Sequence, residues 1–178
     1  MKNAVIYIHG KGGNGREADR YKKFFSDEYE VIEFNYKSEF PWEIKIEFLK
    51  FFDHINSQYS EVLLIANSIG AYYSMLSLAD KSIKKAMFIS PIVDMEKLIL
   101  NMMNCSNISE EELYKEKVIT TSFGELLFWE YLSYVRKNPI TWNTPTNILY
   151  AENDNMTSLE TMMNFVNKIG ANITVMNN

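Results

Sequence analysis

Short apolar runs alternate along this chain with longer segments in which apolar residues recur every three or four positions. Six runs, at 4–9, 31–35, 62–66, 86–90, 147–151 and 173–176, are brief and rich in Val, Ile and Leu. Each is bounded by polar or turn-forming residues, so each predicts a β-strand. The run "EVLLIA" is apolar on both faces, as a strand in the middle of a parallel sheet must be. Between the runs the period changes. Ile44, Phe48, Phe51, Phe52 and Ile55 make a helical stripe, and Pro41 stands where a first-turn proline is tolerated. A second helix follows the third run over 69–79. Thr157 and Glu160 have the spacing of a capping box, opening a helix that runs to Ile169, with Gly170 placed to end it. Strand and helix in alternation predict an α/β fold: a mostly parallel, open sheet of about six strands with helices on both faces.

One connection breaks the rhythm. Residues 91–145 separate two strands and far exceed a simple crossover of about 10–15 residues. The stretch contains helix-like apolar segments such as "MEKLILNMM" and "GELLFWEYLSYV". It is expected to be a helical cap over one end of the sheet, within a single domain spanning 1–178. No repeat, low-complexity tract or linker marks a second domain.

Composition narrows the class. The chain has 178 residues, enough for one substantial core, and is 47% hydrophobic and 14% aromatic, which excludes disorder. A net charge of -5 argues against nucleic acid or an anionic membrane as partner. Cys105 is the only cysteine, so an internal disulfide and a Cys-pair metal site are excluded, and a cytoplasmic location is expected. No apolar run has the length of a signal peptide's core or a membrane span.

Three stretches hold candidate chemistry. In "AVIYIHGKGGNGRE" an apolar run meets a glycine-dense loop, and Gly10, Gly12 and Gly15 have the dinucleotide-binding spacing G-x-G-x-x-G. In "LLIANSIGAYY", Ser68 lies directly between strand and helix, flanked by the small residues Ala66 and Gly70. A nucleophile on such a tight turn needs small neighbours, because strand and helix backbones come close. The helix N-terminus offers the Ile69 N–H to developing negative charge. An ordinary N-cap serine would have the same sequence position. In "TPTNILYAENDNMTS", Asp154 follows the fifth strand, at the sheet edge where Ser68 also lies and where open α/β sheets place their sites. A loop aspartate is commonly just solvated, but serine followed by acid is the chain order of one particular catalytic triad.

The sequence resembles the α/β-hydrolase family over nearly its whole length. The matching pieces are "HGKGG", "ANSIGA", "SPIVD" and "PTNILYAEND". The resemblance implies a minimal form of that fold without its first hairpin, with 91–145 in the place of the lid. It implies that Ser68 and Asp154 are catalytic, that the N–H groups of Lys11 and Ile69 form the oxyanion hole, and that His9, Gly10 and Gly12 shape the oxyanion loop. A small-molecule ester or similar acyl compound is then the expected substrate, with no metal or organic cofactor. Ala66 in place of the first elbow glycine is a mild departure.

The histidine is the serious departure. The family's base follows the acid, and no histidine follows Asp154 here; His9 and His54 are the only two. The chain is therefore expected to be a weak or inactive hydrolase. It is expected to be a shortened form of a longer protein, or to associate with a second copy that covers the incomplete C-terminal side. His54 is expected at the wrong end of the molecule, and Asp94 is a rival acid or a helix cap. A non-catalytic ligand-binding or interaction protein on a hydrolase scaffold is the alternative function. Dinucleotide binding is a distant second, because Glu33 falls mid-strand in the expected layout and "ANSIGA" is left unexplained.

Overall fold

The computed structural model describes residues 2–177. The apolar runs form strands within two residues of their expected bounds: β1 (Asn3–Ile8), β2 (Tyr29–Phe34), β3 (Val62–Asn67) and β4 (Lys85–Ile89). The helices are α1 (Asp19–Lys22), preceded by a 3₁₀ turn at Gly15–Ala18, then α2 (Pro41–Gln58), α3 (Ile69–Ser77), α4 (Met95–Cys105) and α5 (Glu110–Glu116). A hairpin, β5 (Val118–Thr120) and β6 (Leu126–Phe128), leads to α6 (Trp129–Lys137), β7 (Thr146–Ala151), α7 (Leu159–Ile169) and β8 (Asn172–Met176). Beyond α4 the 91–145 stretch is thus not purely helical. Val118 to Thr120 pair antiparallel with Leu126 to Phe128 around a turn that has Gly124 at φ 90°.

The main sheet has six strands in the order β2-β1-β3-β4-β7-β8, every pair parallel. This is the α/β-hydrolase fold in its sheet and helix order. β1 is buried along almost its whole length, with β2 on one side and β3 on the other. Chain order therefore reverses direction across the sheet between β1 and β3. The carboxyl ends of two such strands diverge, and the crevice between them is where open α/β sheets bind ligands.

Packing follows the sequence pattern. Ile44, Phe48, Phe52 and Ile55 of α2 are buried with Ala71, Tyr72 and Met75 of α3 in the larger apolar cluster, against Ile6, Ile8, Leu64 and Phe88 of the sheet. Val5, Tyr7 and Ile65 face the other way, under Ala18 and Tyr21. Pro41 opens α2, and Gly170 ends α7 in the left-handed conformation (φ 65°, ψ 32°). The capping box expected at Thr157 and Glu160 does not form. Thr157 is buried, with its hydroxyl donating to the Pro91 carbonyl at 3.3 Å, and Ser158 caps α7 instead by accepting from the Thr161 N–H. No helix among the described residues is long and apolar enough to cross a membrane.

Candidate active site

Ser68 closes the turn from β3 into α3 at φ 51°, ψ -118°. That conformation is strained for any residue with a Cβ, and such strain persists only where surrounding contacts over-determine it. Here they do. The Ser68 N–H donates to the Ile89 carbonyl at 2.9 Å, and its carbonyl accepts from Ala71 and Ile92 at 3.1 and 3.2 Å. Its side chain makes no capping hydrogen bond, so the N-cap explanation fails. Among the described residues, no side chain is hydrogen-bonded to its hydroxyl.

Two glycines make the turn possible. An added Cβ on Gly70 would lie 2.4 Å from the His9 carbonyl oxygen, so α3 starts in direct contact with the end of β1. An added Cβ on Gly10 would lie 3.2 Å from the Ser68 Cβ and 3.3 Å from the Asn67 carbonyl. The loop after β1 thus lies against the serine. It turns at once: the Gly13 N–H donates to the Gly10 carbonyl at 3.1 Å, with Gly12 at φ 74°. The N–H groups of Lys11, within that turn, and of Ile69, first in α3, have no protein acceptor among the described residues. Both thus remain available as donors.

His9 lies just past β1 and is buried. Its Nδ1–H donates to the Gly10 carbonyl at 2.8 Å, and its ring stacks on Tyr36 with centroids 4.4 Å apart. The Tyr36 hydroxyl in turn donates to the His9 carbonyl at 3.1 Å. The Nε2 atom is buried without a partner among the described residues. His54 is exposed on α2.

Asp154 is half-buried in the loop after β7. Its Oδ1 accepts from the Met156 and Thr157 N–H groups at 2.7 and 3.0 Å. Neither histidine bonds to it. Asp94 caps α4, accepting from the Lys97 N–H at 2.9 Å. Asp94 and Asp154 line the same groove, of about 160 Å³, with Lys97, Asn101 and Thr161.

The glycine spacing has a packing explanation. An added Cβ on Gly15 would lie 2.8 Å from the Glu33 Cβ, and one on Gly13 would lie 2.9 Å from a Glu17 carboxylate oxygen. Glu33 is next to last in β2 rather than mid-strand. Two carboxylates thus crowd the loop where a pyrophosphate would need positive potential, and only the 3₁₀ turn and the four-residue α1 follow it. Two further features have no local sequence signature. The Lys11 ammonium pairs with Glu125 in the turn of the β5–β6 hairpin, and Ser90 at the end of β4 has φ 40°.

Solved structures share this fold over the whole chain. An esterase, Est1E from Butyrivibrio proteoclasticus, superposes with a TM-score of 0.78 at 13% identity, covering 100% of this chain and 79% of that one. Alpha/beta hydrolase domain-containing protein 10 from mouse gives 0.74 at 13% identity, covering 98% and 79%. A type II thioesterase, BorB from the borrelidin biosynthetic cluster, gives 0.60 at 14% identity, covering 100% and 84%. No protein-family model matches the sequence, and no curated protein matches it.

Proposed function

With the α/β-hydrolase fold as premise, we propose that this chain is a serine hydrolase of carboxylic esters or similar acyl compounds. Ser68 is the nucleophile, Asp154 the acid, and the N–H groups of Lys11 and Ile69 the oxyanion hole. The observation that carries the reading is the strained Ser68 turn held against Gly10, with two unpaired N–H donors. In this reading the Ser68 oxygen attacks the acyl carbon and its proton passes to solvent water as the tetrahedral oxyanion forms. The oxyanion accepts from both N–H groups, each contributing about 3–4 kcal/mol. Collapse expels the alcohol, which takes a proton from solvent water, and a further water then hydrolyses the acyl-enzyme, releasing the acid and returning a proton to the Ser68 oxygen.

Solvent water is the proton acceptor in this reading. No histidine bonds to Ser68 or Asp154 among the described residues, so a low rate is expected. A hydrolase missing one triad member retains roughly 10³–10⁴-fold catalysis over water. We read residues 91–145 as the cap of a single domain. The Lys11–Glu125 pair supports this, because it brings the hairpin to the loop beside Ser68.

The test is intact-mass detection of a fluorophosphonate adduct. The wild type is expected to gain one adduct slowly and Ser68→Ala none. Added imidazole is expected to speed p-nitrophenyl acetate hydrolysis by the wild type beyond the rate of imidazole alone, by supplying the base, and to give Ser68→Ala no such gain. The absence of a base favours a second reading, a ligand-binding protein on a hydrolase scaffold, and a wild type that never labels would establish that reading over the first.

A further inference from the structure

We propose that Ser90 is a positioning residue that holds the Asp154 turn in register with the Ser68 elbow, an inference that rests on the hydrolase reading above. Ser90 follows β4 and precedes Pro91, at φ 40°. A left-handed conformation at a residue with a Cβ points to a constraint imposed from outside.

The neighbouring hydrogen bonds identify that constraint. The Ser90 N–H donates to the Leu149 carbonyl at 2.7 Å, which is the next rung of the parallel ladder between β4 and β7. In a continuing parallel ladder the Ala151 N–H would then reach the main-chain carbonyl of Ser90. The positive φ accompanies a departure from that ladder. The Ala151 N–H is instead accepted by the Ser90 Oγ at 3.3 Å. The side chain therefore substitutes for its own carbonyl and keeps the end of β7 attached while the main chain turns away.

That turn lets the segment serve two neighbours. Toward the nucleophile, the Ile89 carbonyl accepts the Ser68 N–H at 2.9 Å, and the Ile92 N–H donates to the Ser68 carbonyl at 3.2 Å. Toward the acid, the Pro91 carbonyl accepts the Thr157 hydroxyl at 3.3 Å, and the Thr157 N–H donates to Asp154 Oδ1 at 3.0 Å. Residues 89–92 thus form a hydrogen-bonded bridge from the strained serine to the carboxylate. Ser90 is the one link in it made by a side chain of the bridge itself. Replacing that side chain cuts the link without touching Ser68 or Asp154.

Ser90→Gly is the decisive variant, because glycine adopts a positive φ freely and the protein keeps its turn; Ser90→Ala keeps the Cβ and removes only the hydroxyl. The first measurement is amide hydrogen exchange in the intact chain. Ala151, Met156 and Thr157 are expected to exchange about five- to tenfold faster in Ser90→Gly, on the scale of one lost hydrogen bond, while Phe48 and Phe52 in α2 are unchanged. Unchanged protection at Met156 and Thr157 would overturn the proposal, and this arm requires no catalysis. The second measurement is ester turnover. With imidazole supplied as the base, Ser90→Gly and Ser90→Ala are expected to lower kcat about tenfold with KM unchanged, and neither is expected to lower it further in an Asp154→Asn background. Losses that simply add in the double variants would overturn it. A wild type inert to fluorophosphonate would instead refute the hydrolase reading, and the exchange result would still decide the role of Ser90 in holding the turn.

Discussion

At the residue scale, the start of α3 combines a strained backbone with close steric contact. Ser68 has a backbone that glycine would adopt at no steric cost. Ser68→Gly is therefore expected to raise stability by about 1 kcal/mol in urea unfolding, while abolishing fluorophosphonate labelling. Gly70 is the opposite case. An alanine Cβ there would meet the main-chain oxygen of His9 at 2.4 Å, and main chain on both sides leaves little room to yield. Gly70→Ala is expected to cost about 1–3 kcal/mol and to slow labelling of Ser68 by moving α3 away from the loop. That small residues must flank Ser68 was legible from "ANSIGA". The atom that Gly70 touches was not, because His9 is remote in sequence and meets it only through strand pairing.

At the element scale, caps and ion pairs link the helices of the 91–145 stretch, whose Leu98, Met103, Leu113 and Leu132 are buried in the core. Ser109 and Glu112 form a reciprocal capping box on α5. Arg136 of α6 pairs with Glu110 of α5 at 2.7 Å and with Glu96 of α4 at 2.6 Å, and so links three helices. The Arg136 hydrogen bond, then its positive charge, holds the Glu110 carboxyl below its ordinary value of 4.5. A carboxyl depressed in the folded state stabilises it above its unfolded pKa, and that contribution disappears as pH falls through the folded pKa. Arg136→Met is therefore expected to lower Tm at pH 7, and the gap from wild type should narrow as pH falls below 4.5. A gap constant across that range would contradict the assignment. The helical parts of the insertion were legible from their periodicity. The β5–β6 hairpin was not, since three-residue strands leave too short a pattern to distinguish from loop.

At the scale of the whole molecule, buried and partly buried tyrosines join elements across the larger apolar cluster. Burial pushes the hydroxyls of Tyr36, Tyr72, Tyr73 and Tyr131 above the ordinary tyrosine value of 10.0. The Tyr73 and Tyr131 hydroxyls lie 3.1 Å apart and join α3 to α6. Because these groups titrate later when folded than when unfolded, their contribution is full below pH 10 and is lost as pH rises further. Alkaline titration followed at the phenolate absorbance is expected to show a late group of tyrosines that ionise together with loss of the far-UV signal. A smooth titration of every tyrosine near pH 10 in a still-folded protein would contradict it.

The sequence by itself determined the kinds and order of the main-sheet strands and of the helices between them, and with them the fold, but not the β5–β6 hairpin. Period two or three to four, proline and glycine at helix ends, and small residues around Ser68 are local features, set by backbone sterics over a few residues. It also determined the chemistry available: one serine on a strand-to-helix turn, an acid after a later strand, and two histidines, neither of them beyond that acid. Tertiary structure alone decided what meets what. The reversal of strand order between β1 and β3 brings Gly10 against Ser68, the end of β4 brings Ser90 to Ala151, and a remote hairpin brings Glu125 to Lys11. Each of these contacts joins residues distant in sequence. It arises only when the sheet closes and the core excludes every other arrangement, so no local pattern could carry it.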